Sequence, residues 1–500
     1  MLWLAVHLRC LSLEAYCAAL PPADTAQPVA LIAEHRVSAV NTEASERGIR
    51  LGMKRATALA LAADLRLGEA DAVRDAAALL AVAHAALAFT PMVTLEGGAT
   101  VLLEVQPSLR YFGGLTSLLQ RLRQALAPLS HQLHIASAPT PLGAALLAQW
   151  RDGLAEGPHS TQPAALRALL DGAPVWLLGP GREHWEALQG MGLRTLSDLR
   201  TLPRSGLARR FGEDLLDDID SAFGQRADPR QALLPPPVFE SRLELLARAD
   251  TTAQVLHGAN TLLARLLAWA QAQQARVAAF TLQMRHEPRH RDDAAETTPL
   301  RIELAEASLD ICHLQLLLRE RLAQVVLAAP TLELRLHCSE LAHSAAPNGE
   351  LFPTRQSQTQ GLTRLLERLR ARLGDTQVLQ VAPLADHRPE QAMRLLPVTQ
   401  PAMPAPMPPW PAHLPLHRPA WLLPEPQPLS ERDTWPLLAG RPLQMLSGPE
   451  RIESGWWDGG LVARDYFIAM TGDGALVWIY RARLQPTEPG PIWFLQGRFG

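Results

Sequence analysis

The sequence predicts a multidomain protein of the α+β class. Its 500 residues are too many for one hydrophobic core and suggest three or four domains. Strand-like and helix-like segments alternate over roughly the first 165 residues, which is typical of an α/β or α+β domain. A proline-rich stretch over 397–428 then precedes a C-terminal region of aromatic, strand-like segments.

The composition is that of an ordinary globular protein, with 47% hydrophobic and 19% charged residues. No apolar run is long enough to span a membrane, and the N-terminal "MLWLAVHLRCLSLEAY" favours a buried first strand over a signal peptide. Four cysteines without a CxxC pair indicate a reducing cytoplasm rather than a disulfide framework or a structural zinc site. A net charge of −3 does not by itself indicate nucleic-acid binding, although it can conceal a basic face. Lys54 is the only lysine, so phosphate contacts would come from arginine, backbone N–H groups or hydroxyls.

The first part of the chain predicts a mixed sheet with covering helices. "PVALIAEHRVSAVN" reads as two strands, and an alanine-rich helix is expected over 72–90. The strand "TVLLEV", the helix "GLTSLLQRLRQALAPL", the strand "HQLHIASAP" and the helix "PLGAALLAQW" follow in that order.

Short helices broken by glycine and proline are expected from Val175 onward. The glycine pairs Gly179/Gly181 and Gly190/Gly192 indicate a helix-hairpin-helix, in which backbone N–H groups bind phosphate without reading sequence. A small helical domain with ordinary turn glycines is the alternative.

Two further units are expected beyond this helical part. Residues 241–341 predict the order β-α-β-β-α-β, and a basic helix follows at "LTRLLERLRARLG". The last sixty residues predict a small β module with a hairpin turn at "TGDGA".

Several of these segments resemble the Y-family (translesion) DNA polymerases. The similarity is carried by "RGIRLGM", "LEVQPSLRYFGG", "GMGLRTLSDL" and "RRFG", and by the order of the predicted domains. The C-terminal "RPLQMLSGPERIESGWWDGG", "RDYFIA", "WIYRARL" and "WFLQGRFG" resemble the tail of ImuB-type proteins, polymerase-like subunits of bacterial mutagenesis cassettes. Together they cover nearly the whole chain.

The resemblance implies a polymerase-like domain plan. It places the palm and fingers at 1–170 (fingers about 26–75), a helix-hairpin-helix thumb at 171–235 and a little finger at 236–345. A clamp-peptide segment with the basic helix (346–396), the proline-rich linker (397–428) and the β module (429–500) complete the expected order.

The resemblance also implies that the polymerase chemistry has been lost. Nucleotidyl transfer uses two metal ions held by carboxylates, and the family supplies three of these in its palm. His7, Ala99 and Thr100 stand at those three positions. Glu96 and Glu104 are the carboxylates nearest in sequence. We expect neither to substitute, Glu104 because it lies about 13 Å farther along the strand.

The positions that hold the incoming nucleotide in the family have changed as well. Thr42 and Ser45 replace the tyrosine and arginine of the fingers, and Pro141 and Ala145 replace two palm lysines. We therefore expect no catalytic residue, no resident metal and no cofactor.

DNA contacts remain expected from the thumb glycines and from Arg285, Arg289 and Arg291 in the little finger. Such contacts would be sensitive to salt and indifferent to sequence. A solvated hairpin tip is an equal alternative for the three arginines.

Two segments are expected to bind proteins. "NGELF" resembles a sliding-clamp peptide in which Leu351 and Phe352 enter an apolar groove and Asn348 makes a polar contact, with a plain linker as the alternative. The tail aromatics would form either a module core or partner hot spots. Those expected to contact partners are Trp456, Trp457, Tyr466, Trp478 and Trp493.

The resemblance thus implies a cytoplasmic, nucleoid-associated, non-catalytic adaptor induced by DNA damage. It would bridge DNA, the sliding clamp, a RecA-like ImuA partner and an error-prone DnaE-type polymerase. The competing hypotheses are an active translesion polymerase with unconventional metal ligands and a DNA-binding protein that has no partners.

Overall fold

A computed structural model describes residues 1–20, 27–288, 296–343, 355–398, 418–483 and 492–499. The chain divides into two compact units, Met1–Gln358 and Thr359–Gly500. Within the described residues, no helix is both long and apolar enough to cross a bilayer.

The first unit begins with a four-stranded antiparallel sheet in the order β5-β6-β1-β7, together with a three-stranded sheet in the order β3-β2-β4. Both predicted strands of "PVALIAEHRVSAVN" and the predicted strand "TVLLEV" are present. The elements are β1 (Trp3–Leu8), α1 (Leu11–Cys17), β2 (Val29–Ala33), β3 (Arg36–Val40), α2 (Thr42–Glu46), α3 (Arg55–Leu61), β4 (Arg66–Glu69), α4 (Ala72–Leu87), β5 (Val93–Glu96), β6 (Thr100–Glu104), α5 (Leu109–Phe112), α6 (Leu115–Leu126), β7 (Leu133–Ala138) and α7 (Pro141–Trp150).

Both faces of the four-stranded sheet are buried, because side chains alternate along β1. Leu4 and Val6 pack in one core with residues of α4 and α6. Trp3 and Ala5 face the opposite core, which contains α7. Each fully buried leucine contributes about 1.5–3 kcal/mol relative to an exposed one, so the two layers hold the strands rigidly.

A run of short helices follows, as predicted. It comprises α8 (Pro163–Asp171), α9 (Gly179–Glu183), α10 (Trp185–Gly190), α11 (Leu196–Arg200), α12 (Arg204–Phe211) and α13 (Asp214–Ala222). Their apolar residues, including Leu188, Leu199 and Phe211, share the core that covers Trp3 and Ala5.

A second four-stranded antiparallel sheet, in the order β10-β9-β11-β8, completes the first unit. The observed order β-α-β-β-α-β is the predicted one. Its elements are β8 (Phe239–Ala249), α14 (Thr252–Ala272), β9 (Arg276–His286), β10 (Thr297–Ser308), α15 (Ile311–Leu322) and β11 (Thr331–Ala342). Helix α14 covers one face of this sheet, where Gly258 lies against the side chains of Leu243 and Leu334. Because side chains alternate along β11, Glu333 and Arg335 lie on the other face.

The predicted basic helix is α16 (Arg355–Leu373), which contains the division between the units. The second unit then holds a two-stranded hairpin and a seven-stranded sheet in the order β16-β15-β14-β20-β19-β18-β17. The strands are β12 (Leu379–Pro383), β13 (Met393–Pro397), β14 (Trp421–Arg432), β15 (Trp435–Leu438), β16 (Arg441–Pro442), β17 (Gln444–Ser454), β18 (Val462–Met470), β19 (Leu476–Ala482) and β20 (Trp493–Arg498).

The second unit differs from the sequence expectation at one point. The linker expected over 397–428 ends earlier, since β14 already begins at Trp421 and includes three prolines. The pairing of β14 with β20 is irregular between Leu422 and Gln427. Prolines are tolerated there because a proline has no N–H to donate to a regular strand ladder. The predicted hairpin turn is present, with the Thr471 N–H donating to the Ala475 carbonyl at 2.9 Å.

Candidate functional site

The three positions expected to have lost their carboxylates meet at one end of the first sheet. His7 on β1 lies directly opposite Thr100 on β6, and His7 Nδ1 and Thr100 Oγ1 are hydrogen-bonded at 2.9 Å. Ala99 precedes β6, and its carbonyl accepts a hydrogen bond from the Leu8 N–H at 2.9 Å. None of these side chains offers a carboxylate oxygen.

His7 is neutral at pH 7. Burial, with smaller contributions from His134 and Arg182, lowers the pKa of His7 to about 4. His134 lies opposite His7 on β7, and its Nδ1 is buried without a hydrogen-bond partner among the described residues. The three positions themselves therefore carry no negative charge, and the His7 imidazole is uncharged at pH 7.

A cavity of about 330 Å³ opens beside His7 and Ala99, and we call it the palm cavity. Its wall includes three carboxylates and two guanidinium groups, contributed by Glu96, Asp218, Asp228, Arg182 and Arg230. No sequence motif pointed to Asp218, Asp228 or the two arginines at this site, because they lie far along the chain from β1 and β6.

Arg230 forms ion pairs with two carboxylates of the palm cavity that would otherwise be available to a metal ion. Its guanidinium pairs with Glu96 and donates from Nη2 to Asp228 Oδ2 at 2.6 Å. Its side chain is 16% exposed, and its Nε has no hydrogen-bond partner within the described part of the chain. Burial opposes the charge, but the hydrogen bonds to Asp228 and Glu96 outweigh it and raise the pKa of Arg230. The palm cavity thus contains a permanent cation.

Glu96 lies closer to the lost positions than the sequence suggested. It pairs with Thr100 in the register of the β5–β6 hairpin, whose turn contains Gly97 and Gly98 at positive φ. Glu104 lies at the other end of β6, opposite Trp3, and accepts from the Gln106 N–H at 3.2 Å. Of the two carboxylates considered from the sequence, only Glu96 reaches the cavity, and Arg230 holds it there.

Asp218 is the third carboxylate of the palm cavity. Burial, with further contributions from Glu96 and the other nearby carboxylates, raises its pKa. The local field therefore favours a proton on Asp218, which lowers its value as a ligand for a divalent cation.

The expected nucleotide-binding positions lie outside the palm cavity. Thr42 begins α2 after the capping residue Asn41, and Ser45 Oγ accepts from Arg50 at 2.9 Å. Pro141 begins α7, and Ala145 on the same helix is fully buried. The structure does not bring these four residues together with His7.

The thumb glycines serve mainly backbone geometry. A Cβ on Gly181 would lie 2.2 Å from the Val175 carbonyl oxygen, so this position requires glycine. Gly190 ends α10, and Gly192 follows at φ +82° with its N–H donating to the Gln189 carbonyl at 2.9 Å. Gly179 lines the palm cavity. The N–H of Gly192 is thus already used within the hairpin.

Arg285 belongs to an arginine cluster on the second sheet, and the sequence motifs had singled out only this one of its three arginines. The carboxylate of Glu333, 1% exposed, accepts from Arg285 Nη2 at 2.8 Å, Arg335 Nε at 2.6 Å and Arg242 Nη2 at 2.9 Å. The three arginine side chains are 41–55% exposed, and Glu240 on β8 adds a second carboxylate that acts on Arg335. The alternation "LELRLH" in β11 was the available signal, because it puts Glu333 and Arg335 on one face.

Other predicted residues lie outside the described part of the chain, namely Arg289, Arg291, Asn348, Leu351 and Phe352.

The tail aromatics divide into two groups. Tyr466, Trp478 and Trp493 are at most 5% exposed and form core in the β module, so they offer no surface to a partner. Trp456 and Trp457 are 72% and 57% exposed and pack edge to face with ring centroids 4.7 Å apart. The expected partner surface is therefore reduced to this tryptophan pair.

No family model matches the chain. It is similar to Dbh in a ternary complex (TM-score 0.38, 14% identity, 68% of this chain and 98% of that one) and to DinB from Sulfolobus solfataricus (TM-score 0.37, 14% identity, 68% and 98%). TM-scores this low support no inference.

The sequence comparison extends over almost the whole chain. "Protein ImuB" from two strains of Caulobacter vibrioides is 28% identical over 472 residues, which cover 91% of this chain and 100% of each relative. The resemblance predicted from the sequence is confirmed: the chain is similar to ImuB along almost its whole length.

Proposed function

We propose that the chain is a non-catalytic, DNA-binding adaptor of an error-prone translesion synthesis complex. The observation that carries the proposal is the occupancy of the palm cavity, where Arg230 pairs with both Glu96 and Asp228 beside His7 and Ala99. A divalent cation entering this cavity would meet a fixed positive charge and no free pair of carboxylates. Two-metal phosphoryl chemistry has no support in such a site.

The second candidate is an active polymerase with unconventional ligands. It is favoured by one observation: Glu96, Asp218 and Asp228 all line the same cavity. It would require Arg230 to leave both of its partners, and Asp218 to bind a cation although burial raises its pKa and disfavours the carboxylate. These two requirements make it the weaker candidate.

Primer extension distinguishes the two. We expect the purified protein to add no template-directed nucleotide with Mg²⁺ or Mn²⁺. Incorporation that disappears in Asp218→Asn but persists in Asp64→Asn would establish the active polymerase instead. Asp64 is the matched control because it is exposed and lies outside the palm cavity.

DNA binding is assigned to the arginine cluster around Glu333. Three half-exposed guanidinium groups that share the Glu333 carboxylate retain donors for phosphate oxygens, and they contact the backbone without reading sequence. The logarithm of the association constant for a primer-template should fall linearly with the logarithm of the salt concentration. Each lost phosphate contact should make the slope of that line shallower by about 0.9.

Fluorescence anisotropy over a salt series tests this assignment. Arg285→Gln/Arg335→Gln should weaken binding and flatten the slope, whereas Arg319→Gln on α15 should change neither. Arg319 is exposed on α15, a helix that packs mainly against α14. Equal losses in both variants would remove the cluster from the interface.

The adaptor role further requires protein partners, for which we propose the sliding clamp, an ImuA-type RecA-like protein and a DnaE-type polymerase. Several modest contacts on one chain would raise the effective concentration of the polymerase at the primer end. Co-purification of the clamp with wild type but not with Leu351→Ala/Phe352→Ala is expected. Retention by the double variant would refute the clamp peptide, and failure of every partner to co-purify would favour a DNA-binding protein acting alone.

A further inference from the structure

A second cavity of about 810 Å³ lies elsewhere in the first unit, and we call it the α4 cavity. It is enclosed by α4, by the segment 233–238, by β8 and by α14, and it shares no lining residue with the palm cavity. Its volume falls within the range of small-molecule sites. Apolar side chains such as Leu80, Leu233 and Leu243 make up much of its wall.

Arg265 on α14 supplies a buried positive charge to this cavity. The residue is 5% exposed, and its one hydrogen bond among the described residues runs from Nη1 to Ser241 Oγ at 3.3 Å. Burial lowers the pKa of Arg265 to about 10, which leaves the guanidinium charged at pH 7. A buried charge without an ionic partner is costly, so this one calls for an anion.

One face of α4 adds two more donors. Arg74, Ala77, Ala81 and His84 recur at helical spacing along the wall. Arg74 Nε is buried without a hydrogen-bond partner within the described residues. His84 is 8% exposed and makes no hydrogen bond to the described residues.

The remaining charged groups of the wall are engaged or exposed. Asp71 caps α4, accepting from the Val73 N–H at 2.9 Å, and Arg242 pairs with Glu333. Glu240 and Glu244 are exposed on β8. The charge without a carboxylate partner is therefore that of Arg265, supported by Arg74.

We propose that the α4 cavity binds a small phosphorylated molecule. Its phosphate accepts hydrogen bonds from Arg265 and Arg74, and its less polar body lies against Leu80, Leu233 and Leu243. A phosphate suits the site because it offers several oxygens to guanidinium groups from two helices. The proposal is independent of the adaptor role, because it concerns a different cavity.

Isothermal titration of the full-length protein with adenosine 5′-monophosphate tests the proposal, with adenosine and inorganic phosphate as separate arms. We expect the monophosphate to bind, inorganic phosphate to bind more weakly, and adenosine to bind at least tenfold more weakly, which corresponds to one lost charge-assisted hydrogen bond. Equal binding of adenosine, or no binding of the monophosphate, would overturn the proposal.

Variants assign the binding to this cavity. Arg265→Gln and Arg74→Gln should each weaken the monophosphate about tenfold or more, whereas Arg182→Gln in the palm cavity should leave it unchanged. Arg74→Gln keeps the test decisive if the buried Arg265→Gln variant does not fold, since Arg74 is only partly buried. Loss of binding in Arg182→Gln alone would transfer the ligand to the palm cavity.

Discussion

Arg230 and Glu96 lie 134 residues apart in the chain, and they form an ion pair inside the palm cavity. The same guanidinium bonds to Asp228 at 2.6 Å. A protein group thus supplies the positive charge that carboxylates in a polymerase palm receive from metal ions.

Removal of this internal cation should expose a cation site. We expect Arg230→Gln to bind Mn²⁺ detectably by electron paramagnetic resonance, whereas the wild type should not, because Glu96 and Asp228 become available. The same change should lower the free energy of unfolding by about 2 kcal/mol, measured by urea denaturation, because the ion pair is mostly buried. Arg226→Gln is the control, since Arg226 pairs with Asp217 outside the cavity. Equal Mn²⁺ binding by wild type and Arg230→Gln would contradict this reading of the cavity.

Two glycines of α9 should respond differently to alanine. Gly181→Ala would bring a Cβ to 2.2 Å from the Val175 carbonyl oxygen, and we expect a loss of about 2 kcal/mol. Gly179→Ala meets nothing within 4 Å and should be close to neutral. Thermal denaturation of both variants measures the difference, and similar melting temperatures would rule out the close approach.

Glu333 should weaken DNA binding by the arginine cluster and, at the same time, stabilise the sheet. Burial raises the pKa of Glu333, but hydrogen bonds from Arg335 and Arg285 outweigh it and hold the pKa below its usual value. Glu333→Gln should cost about 2 kcal/mol of stability and tighten binding to a primer-template, because it removes the buried negative charge that three arginines share. Glu303→Gln, on the exposed end of a surface pair, should change stability by less than about 0.5 kcal/mol. Fluorescence anisotropy at constant salt measures the affinity for the primer-template. If Glu333→Gln bound it no more tightly than wild type, the proposed role of the arginine cluster in DNA binding would be contradicted.

His84 should make the protein less stable in acid. Burial lowers its pKa from 6.5 to about 4, so between those pH values the unfolded chain binds a proton that the folded chain does not. This contribution is fully present above pH 6.5 and falls by about 3 kcal/mol as the pH decreases to 4. Urea denaturation of wild type and His84→Gln across this range should give a shallower pH dependence for the variant. Parallel curves would show that His84 titrates normally.

The tryptophan pair is expected to mediate binding of one of the proposed protein partners. Trp456→Ala/Trp457→Ala should abolish co-purification of the ImuA-type or the DnaE-type protein while leaving the fold intact, because both side chains are exposed. Trp435→Ala is the matched control, being 54% exposed elsewhere in the module. Unchanged recovery of both partners would assign the pair no role in recruitment.

Local patterns predicted most of the fold. The period-two alternation of β11 and the order of elements from β8 to β11 could be predicted because each element is long and amphipathic. Strand β14 was missed because its prolines suggested a linker, while the register of its neighbour β20 accommodates them through an irregularity.

The candidate site was predictable only in part. The positions of His7, Ala99 and Thr100 followed from a motif, and the strand pairing that joins them is local to one sheet. The approach of Arg230, Asp218 and Asp228 depends on the path of the chain after α13, which no sequence period encodes. Likewise, neither the burial of Trp478 nor the exposure of Trp457 follows from strand spacing, because both lie in aromatic segments of similar composition.

The contact between Arg230 and Glu96 also ties the segment after the thumb-like helices to the tip of a hairpin in the first sheet. A mutation of Arg230 that freed the carboxylates of the palm cavity would therefore also remove this long-range contact between two parts of the first unit. Under the proposed non-catalytic role, an evolutionary return to catalysis would thus begin with a less stable protein rather than with a working enzyme.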